Sequence, residues 1–120
     1  MKLQDIQAVY FIGAGGIGMS ALVRYFHHKG LVVAGYDKTP TDLTRRLEKE
    51  GIQLHYEDNI NLIPDVCKNP STTLVVYTPA IPNTHRELIY FRENHFEIEK
   101  RAQVLGRLTQ THKGLCFAGT

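Results

Sequence analysis

Short apolar runs alternate along the chain with longer segments in which apolar residues recur at helical spacing. The apolar runs lie at residues 8–12, 31–36, 52–56, 72–77 and 96–99. The helical segments lie at residues 17–29, 41–50, 85–93 and 101–111. Continuous apolar runs are typical of parallel strands that are buried on both faces. The alternation therefore predicts an α/β protein with a doubly wound parallel sheet of about five strands and helices on both faces.

A glycine fingerprint, Gly13-x-Gly15-x-x-Gly18, joins the first predicted strand to the first helix. In such a loop the first glycine makes a tight turn, the second lets the backbone approach a diphosphate, and the third lets the helix pack closely on the strand. The first N–H groups of the helix have no intrahelical partner, and the helix dipole adds about half a positive charge. The loop thus predicts a Rossmann-like fold that binds a nucleotide diphosphate. The alternative is a glycine-rich turn that binds nothing.

Three further positions follow predicted strands, where open parallel sheets bind ligands. Asp37 comes 19 residues after Gly18, the spacing at which an acid reaches a ribose hydroxyl, although it could instead cap the next turn. His55 ends the third strand, and its position alone leaves a ligand role and a structural role equally open. The loop of residues 78–82 follows the fourth strand and contains two prolines. It is either a polar ligand contact or a rigid connector.

Composition excludes several other classes of protein. The chain has 120 residues, enough for one domain, with 42% hydrophobic residues and a net charge of +2. This small charge favours neither a nucleic-acid nor a membrane partner, and no apolar run is long enough to span a bilayer. The two cysteines have no metal-type spacing, and His27 and His28 point in different directions on a helix. We therefore expect a cytoplasmic protein without a metal site. Separately, Asn83 or Thr84 is expected to cap the third helix.

The run FIGAGGIGMSAL at residues 11–22 resembles the opening of the Mur ligases and is more specific than a bare glycine fingerprint. Further matches follow in the same order and cover essentially the whole chain. They lie at residues 35–37, 51–56, 75–81, 100–105 and 117–120. The chain is similar to this family throughout, with two departures: the family commonly has Glu where this chain has Gln103, and Ser where it has Thr78.

The resemblance implies a domain that binds the UDP part of UDP-N-acetylmuramate. The residues that it places at the diphosphate are Gly13, Gly15, Gly16, Ile17, Gly18, Met19 and Ser20. The residues that it places near the uridine are Asp37, His55, Thr78, Pro79 and Ala80. Arg101 lies in a matched motif on the substrate side. No residue of this chain is assigned a catalytic role.

The resemblance also implies what the complete enzyme does. ATP, with Mg²⁺, phosphorylates the lactyl carboxylate of the nucleotide sugar, and the amine of L-alanine then attacks to give an amide, ADP and phosphate. Residues 1–114 would form the UDP-N-acetylmuramate-binding domain. Residues 115–120 would begin a central ATP-binding domain whose phosphate loop lies beyond the chain. The chain alone is therefore expected to be inactive and to need no cofactor.

Two alternatives remain open at this stage. A family member that recycles muropeptides would share these motifs, because its second substrate is selected elsewhere. An NAD-binding domain of a dehydrogenase or redox sensor fits the fingerprint and Asp37 equally well. The Met19–Ser20 continuation and the second glycine turn at residues 119–120 favour the ligase.

Overall fold

The computed structural model describes residues 3–111 and confirms the predicted α/β architecture. All strands of its five-stranded sheet are parallel, in the spatial order β3-β2-β1-β4-β5. The strands are β1 (Ala8–Ile12), β2 (Val32–Tyr36), β3 (Gln53–His55), β4 (Thr73–Tyr77) and β5 (Glu97–Lys100). The helices are α1 (Ile17–His28), α2 (Asp42–Lys49), α3 (Arg86–Glu93) and α4 (Arg101–Thr111). The predicted domain boundary at residue 114 and the second glycine turn at residues 119–120 lie outside the described residues.

The central strand β1 divides the core into two clusters. Val9 and Phe11 face α1, α2 and α4, whereas Tyr10 and Ile12 face α3 and the connection between β3 and β4. All five residues of β1 are fully buried. This explains why the strand is a continuous apolar run, since both of its faces are covered by other elements.

Local signals fix most helix ends. Thr41 and Thr44 form a reciprocal capping box at the start of α2. At α4, the Gln103 side chain accepts a hydrogen bond from the Lys100 N–H at 2.8 Å, which is one half of the same motif. Glutamate and glutamine serve equally well at this position. The neutral Gln103 therefore retains a helix-capping role.

The predicted cap of α3 is wrong. Neither Asn83 nor Thr84 caps this helix; instead, the backbone of His85 occupies the N-cap position and no side chain within α3 caps it. The Asp58 carboxylate, from the connection after β3, accepts hydrogen bonds from the Arg86 and Glu87 N–H groups at 2.9 and 3.1 Å. A distant acid thus does what a local side chain usually does.

The carboxyl ends of β1 and β4 lie side by side, with Ile12 paired to Tyr77. The chain leaves β1 toward β2 on one side and reaches β4 on the other, so the sheet reverses its winding between these strands. Open α/β sheets bind ligands at such a point. The glycine loop after β1 and the proline loop after β4 both open onto it. In the described part of the chain, no helix is long and apolar enough to cross a membrane.

A candidate anion-binding site at the glycine loop

The glycine loop turns sharply after β1 and presents the start of α1 to the edge of the sheet. Gly13 has a φ of +97°, which glycine adopts without steric cost. The Gly13 and Ala14 N–H groups both donate to the Tyr36 carbonyl at the end of β2, at 2.8 and 3.0 Å. These bonds join the loop to the sheet and fix the direction in which α1 begins.

The first hydrogen bond of α1 runs from the Ser20 N–H to the Gly16 carbonyl at 2.9 Å. The N–H groups of Ile17, Gly18 and Met19 precede it and have no helical acceptor, as at the start of any α-helix, whereas the Gly16 N–H donates to the Gly13 carbonyl at 3.4 Å. Gly16 is the N-cap residue of α1, and no side chain makes a capping hydrogen bond there. The Met19 and Ser20 side chains are buried, so these residues meet a ligand only through the backbone. The Ser20 N–H is already used within α1, so it is not free to donate to a diphosphate as the sequence predicted.

Arg101, the first residue of α4, lies over the first turn of α1. A Cβ built on Gly18 would lie 2.2 Å from Arg101 Nη1 and 2.8 Å from its Cζ. The three nearest atoms to that Cβ all belong to Arg101. The sequence predicted that Gly18 lets α1 pack on the strand. The structure shows that the absent side chain instead makes room for a guanidinium at the helix N-terminus.

Asp37 lies against the glycine loop, at the end of β2. Its Oδ2 atom accepts a hydrogen bond from the Gly15 N–H at 2.7 Å, and its Oδ1 atom accepts one from the Thr39 N–H at 3.1 Å. A Cβ at position 15 would lie 2.6 Å from Asp37 Oδ2 and 2.7 Å from Thr44 Cγ2. These two side chains lie so close to the Gly15 backbone that they require glycine at position 15 even without a bound ligand. The predicted ribose contact of Asp37 stays a prediction.

The loop after β4 lies beside the glycine loop. A Cβ on Gly13 would lie 3.3 Å from the Thr78 hydroxyl oxygen. Pro79 and Ala80 are exposed, and the Ile81 N–H closes the turn by donating to the Thr78 carbonyl at 3.1 Å. The predicted residues of this loop thus lie at the same edge as the start of α1.

The side chain of His55 belongs to a network on the opposite face of the sheet, among the residues of the α3 side. Its Nε2 lies 2.8 Å from Glu87 Oε2 and 3.0 Å from the Tyr10 hydroxyl. Tyr10 also donates a short hydrogen bond to Glu87 Oε1, and the Asn59 N–H donates to Oε2 at 3.1 Å. Between the two roles that the sequence left open, these contacts favour the structural one.

Glu87 is the residue of this network that sequence reasoning missed. It is fully buried in the first turn of α3, on the same helix face as the buried Phe91 four residues later. Burial, and then the charge of Glu87, raise the pKa of Tyr10 well above its usual value. The phenol therefore stays protonated and donates to the carboxylate. No local sequence signal identifies Glu87, because its partners come from β1 and β3.

The described residues contain no group of three or more His, Cys, Asp or Glu side chains arranged to hold a metal ion. The rings of His27 and His28 lie 6.1 Å apart and at 71° to one another. Both lie in the last turn of α1, and Gly30, with a φ of +86°, follows the end of the helix.

Comparison with known proteins identifies the family of the chain. The family described as "Mur ligase family, catalytic domain" matches residues 8–113. The chain belongs to the Mur ligase family. This confirms the family that the run at residues 11–22 predicted. The glycine loop, the loop after β4 and Arg101 all lie inside the matched range of this chain.

Several curated Mur ligases are similar to the chain over its full length. It is 62% identical over 120 residues to the UDP-N-acetylmuramate–L-alanine ligase of Phocaeicola vulgatus and 61% identical to that of Parabacteroides distasonis. Each alignment covers 100% of this chain and 26% of the relative. The chain therefore spans about a quarter of the length of these relatives.

Solved structures of Mur ligases share the fold. The UDP-N-acetylmuramate–alanine ligase MurC of Thermotoga maritima matches with a TM-score of 0.79 and 28% identity, over 88% of this chain and 23% of that one. The UDP-N-acetylmuramate:L-alanyl-γ-D-glutamyl-meso-diaminopimelate ligase of Neisseria meningitides matches with a TM-score of 0.75, over 89% of this chain and 32% of that one. Its identity is only 18%, so this second likeness concerns the fold alone.

Proposed function

We propose that this domain binds the UDP part of UDP-N-acetylmuramate, in an enzyme that joins this nucleotide sugar to L-alanine. The observation that carries the proposal is the position of Arg101 over Gly18, at the N-terminus of α1. Two sources of positive potential meet there, namely the helix dipole and a guanidinium. A diphosphate is the group of UDP that such a site would hold.

The chemistry of the donors suits a diphosphate. Backbone N–H groups at the start of a helix bind phosphate oxygens without a side chain, and the loop is short enough to let them approach. A guanidinium adds a planar set of donors that matches two phosphate oxygens at once. We assign the diphosphate to the loop from Gly13 to Met19 and to Arg101.

The uridine would lie beyond the diphosphate, along the carboxyl edge of the sheet. Thr78 offers a hydroxyl beside Gly13, and the exposed Pro79 and Ala80 offer a rigid apolar rim. Thr78 keeps the hydroxyl of the serine that the family commonly has at this position. The uridine contacts predicted for Asp37 and His55 are left out of the proposed site, because both side chains are bonded to other groups of the domain.

The activity of the complete protein is inferred from its relatives. The names of the relatives that are 62% and 61% identical specify ligation of UDP-N-acetylmuramate to L-alanine. In this reaction, ATP with Mg²⁺ would activate the lactyl carboxylate as an acyl phosphate, which the amine of L-alanine attacks. The described residues would bind and orient the nucleotide, and we assign none of them a chemical step. Correct positioning of a reactant is worth several kcal/mol in well-oriented systems.

Muropeptide ligation is the nearest alternative. It is less favoured because the muropeptide ligase of Neisseria meningitides is only 18% identical to this chain, whereas the two alanine ligases above exceed 60%. The complete enzyme would separate the two activities. With ATP and UDP-N-acetylmuramate, the proposal expects product with L-alanine and none with the tripeptide.

Calorimetric titration of the 120-residue chain tests the binding function directly. UDP-N-acetylmuramate and UDP should both bind, whereas NAD⁺ should not. Arg101→Ala should weaken both uridine ligands by at least about tenfold, because it removes a charged partner of the diphosphate. Arg45→Ala on the exposed face of α2 is the matched control and should leave binding unchanged. Binding of NAD⁺ without UDP would refute the proposal in favour of an oxidoreductase.

A further inference from the structure

Each oxygen of the Asp37 carboxylate accepts a hydrogen bond from the backbone of its own domain. Oδ2 accepts from the Gly15 N–H at 2.7 Å, and Oδ1 accepts from the Thr39 N–H at 3.1 Å. The first bond links the end of β2 to the middle of the glycine loop, 22 residues earlier in the chain. Both oxygens thus have donors before any ribose hydroxyl is considered.

The packing around Gly15 points the same way. The space that a Cβ would take at this position is filled by Asp37 Oδ2 at 2.6 Å and by Thr44 Cγ2 at 2.7 Å. Thr44 is itself fully buried and held by its capping box with Thr41. Gly15 is therefore enclosed by the β2–α2 connection, and its N–H donates to a carboxylate of that connection.

We infer that Asp37 is a positioning residue, which holds the glycine loop in its anion-binding conformation through Gly15 and does not bind the ribose. This inference rests on the proposed nucleotide-binding function. The Gly15 N–H leaves the set of phosphate donors, and the Gly16 N–H donates to the Gly13 carbonyl at 3.4 Å, so the N–H groups of Ile17, Gly18 and Met19 remain for the diphosphate. Asp37 then acts on affinity through the shape of the loop, whatever sugar the nucleotide carries.

The test compares UDP with 2′,3′-dideoxy-UDP, which keeps the base and the diphosphate but lacks both ribose hydroxyls. In the 120-residue chain, Asp37→Ala should weaken the two ligands by the same factor, about tenfold, because the loop loses a hydrogen bond to a charged group. Asp37→Asn should recover part of the affinity, since its carbonyl oxygen can still accept from Gly15. Asp65→Ala, at a fully exposed carboxylate, is the charge control and should change neither affinity.

Two results would overturn the inference. If Asp37→Ala weakens UDP but not the dideoxy ligand, the carboxylate binds a ribose hydroxyl. If it weakens neither ligand, the carboxylate does not control the loop. Should Asp37→Ala fail to fold, Asp37→Asn provides the second variant, since it keeps the size of the side chain and weakens the bond to Gly15. The same loss for both ligands is then expected.

The amide resonance of Gly15 separates this inference from the proposed function. In the unliganded chain, its proton should lie downfield and exchange slowly, and Asp37→Ala should move it upfield and speed its exchange. This readout needs no nucleotide. If the wild-type chain binds no uridine ligand, the proposed function fails while the Gly15 amide still reports on the loop. An amide that does not respond to Asp37→Ala would refute the positioning role.

Discussion

Arg101 occupies the volume that a side chain at position 18 would need, with Nη1 only 2.2 Å from where the Cβ would stand. The two residues are 83 positions apart and belong to different helices, α4 and α1. Because Gly18, the third glycine of the fingerprint, has no side chain, the Arg101 guanidinium can take this space. The contact also brings the first residue of α4 to the beginning of α1, where the helix dipole is positive.

Gly18→Ala should therefore separate ligand binding from stability. The end of the Arg101 side chain is flexible and can move aside, so we expect the free energy of unfolding to change by less than about 1 kcal/mol. UDP affinity should fall by about tenfold, because the displaced guanidinium no longer faces the diphosphate. Calorimetry and urea unfolding would measure the two effects.

Gly106→Ala provides the matched control for this substitution. It lies in α4, where the added Cβ would have no heavy atom within 4 Å from the described residues outside the helix's own backbone, and alanine should stabilise the helix without changing affinity. Arg101→Ala and Gly18→Ala should also be strongly non-additive in binding, since both act on one guanidinium. Additive losses would mean that Gly18 matters for another reason.

The Tyr10 and Glu87 pair predicts a large difference between two similar substitutions. Tyr10→Phe leaves the fully buried Glu87 without its phenol donor and should cost about 1–3 kcal/mol of unfolding free energy. Tyr56→Phe removes an exposed hydrogen bond to Glu48, of 2.9 Å, and should cost less than about 0.5 kcal/mol. Urea unfolding of both variants checks the difference. Equal costs would show that the Glu87 network contributes little.

Asp58 should stabilise α3 although it lies outside it. Asp58→Ala removes the acceptor of two N–H groups at the helix start, and we expect a loss of about 0.5–2 kcal/mol in thermal or urea unfolding. Thr84→Ala, at a residue that sequence alone suggests as the cap, is the comparison and should be nearly neutral. The opposite ranking would contradict the capping role of Asp58.

Cys67 should make stability depend on alkaline pH. Burial raises the pKa of this thiol to about 12 from an ordinary 9.0. The protonated thiol favours the folded state fully below pH 9, and this contribution is lost as pH rises from 9 toward 12, because only the unfolded chain releases the proton. Between pH 8 and 10 the unfolding free energy should fall by about 1 kcal/mol from this group.

Cys67→Ala should reduce that slope, even if it lowers stability at pH 8. Urea unfolding at the two pH values, in a Cys116→Ser background, isolates the single thiol. The same background allows alkylation at pH 8, where Cys67 should react only after unfolding, because it is buried and protonated. Rapid alkylation of the folded chain would contradict this description.

The strands and helices follow from the sequence because their signals are local. A continuous apolar run such as that of β1 identifies a strand buried on both faces, and the structure reproduces the predicted bounds of Ala8–Ile12. The glycine fingerprint likewise predicts the turn into α1. Even the neutral Gln103 follows a local rule, since it caps the helix in which it lies.

The contacts that define the site escape prediction because they are long-range. Nothing near Glu87 in sequence signals its burial, which depends on Tyr10 and His55 from other strands. Ile89 shows the converse: the apolar pattern of α3 favours its burial, yet it is 37% exposed. The roles of Gly15 and Gly18 were predicted from a family-wide fingerprint, whereas the structure shows which side chains fill the space beside each one.

The two outer strands of the sheet affect whether separate molecules can pair strand to strand. β3 contains only three residues, and β5 carries three charged residues among its four. Unpaired strand edges invite pairing with another chain, and short or charged edges discourage it. Within the part of the chain that the structure describes, both borders of the parallel sheet therefore disfavour strand addition by another molecule. Replacing Glu97 and Glu99 with valine would make β5 an apolar edge strand, which favours pairing with a strand of another molecule.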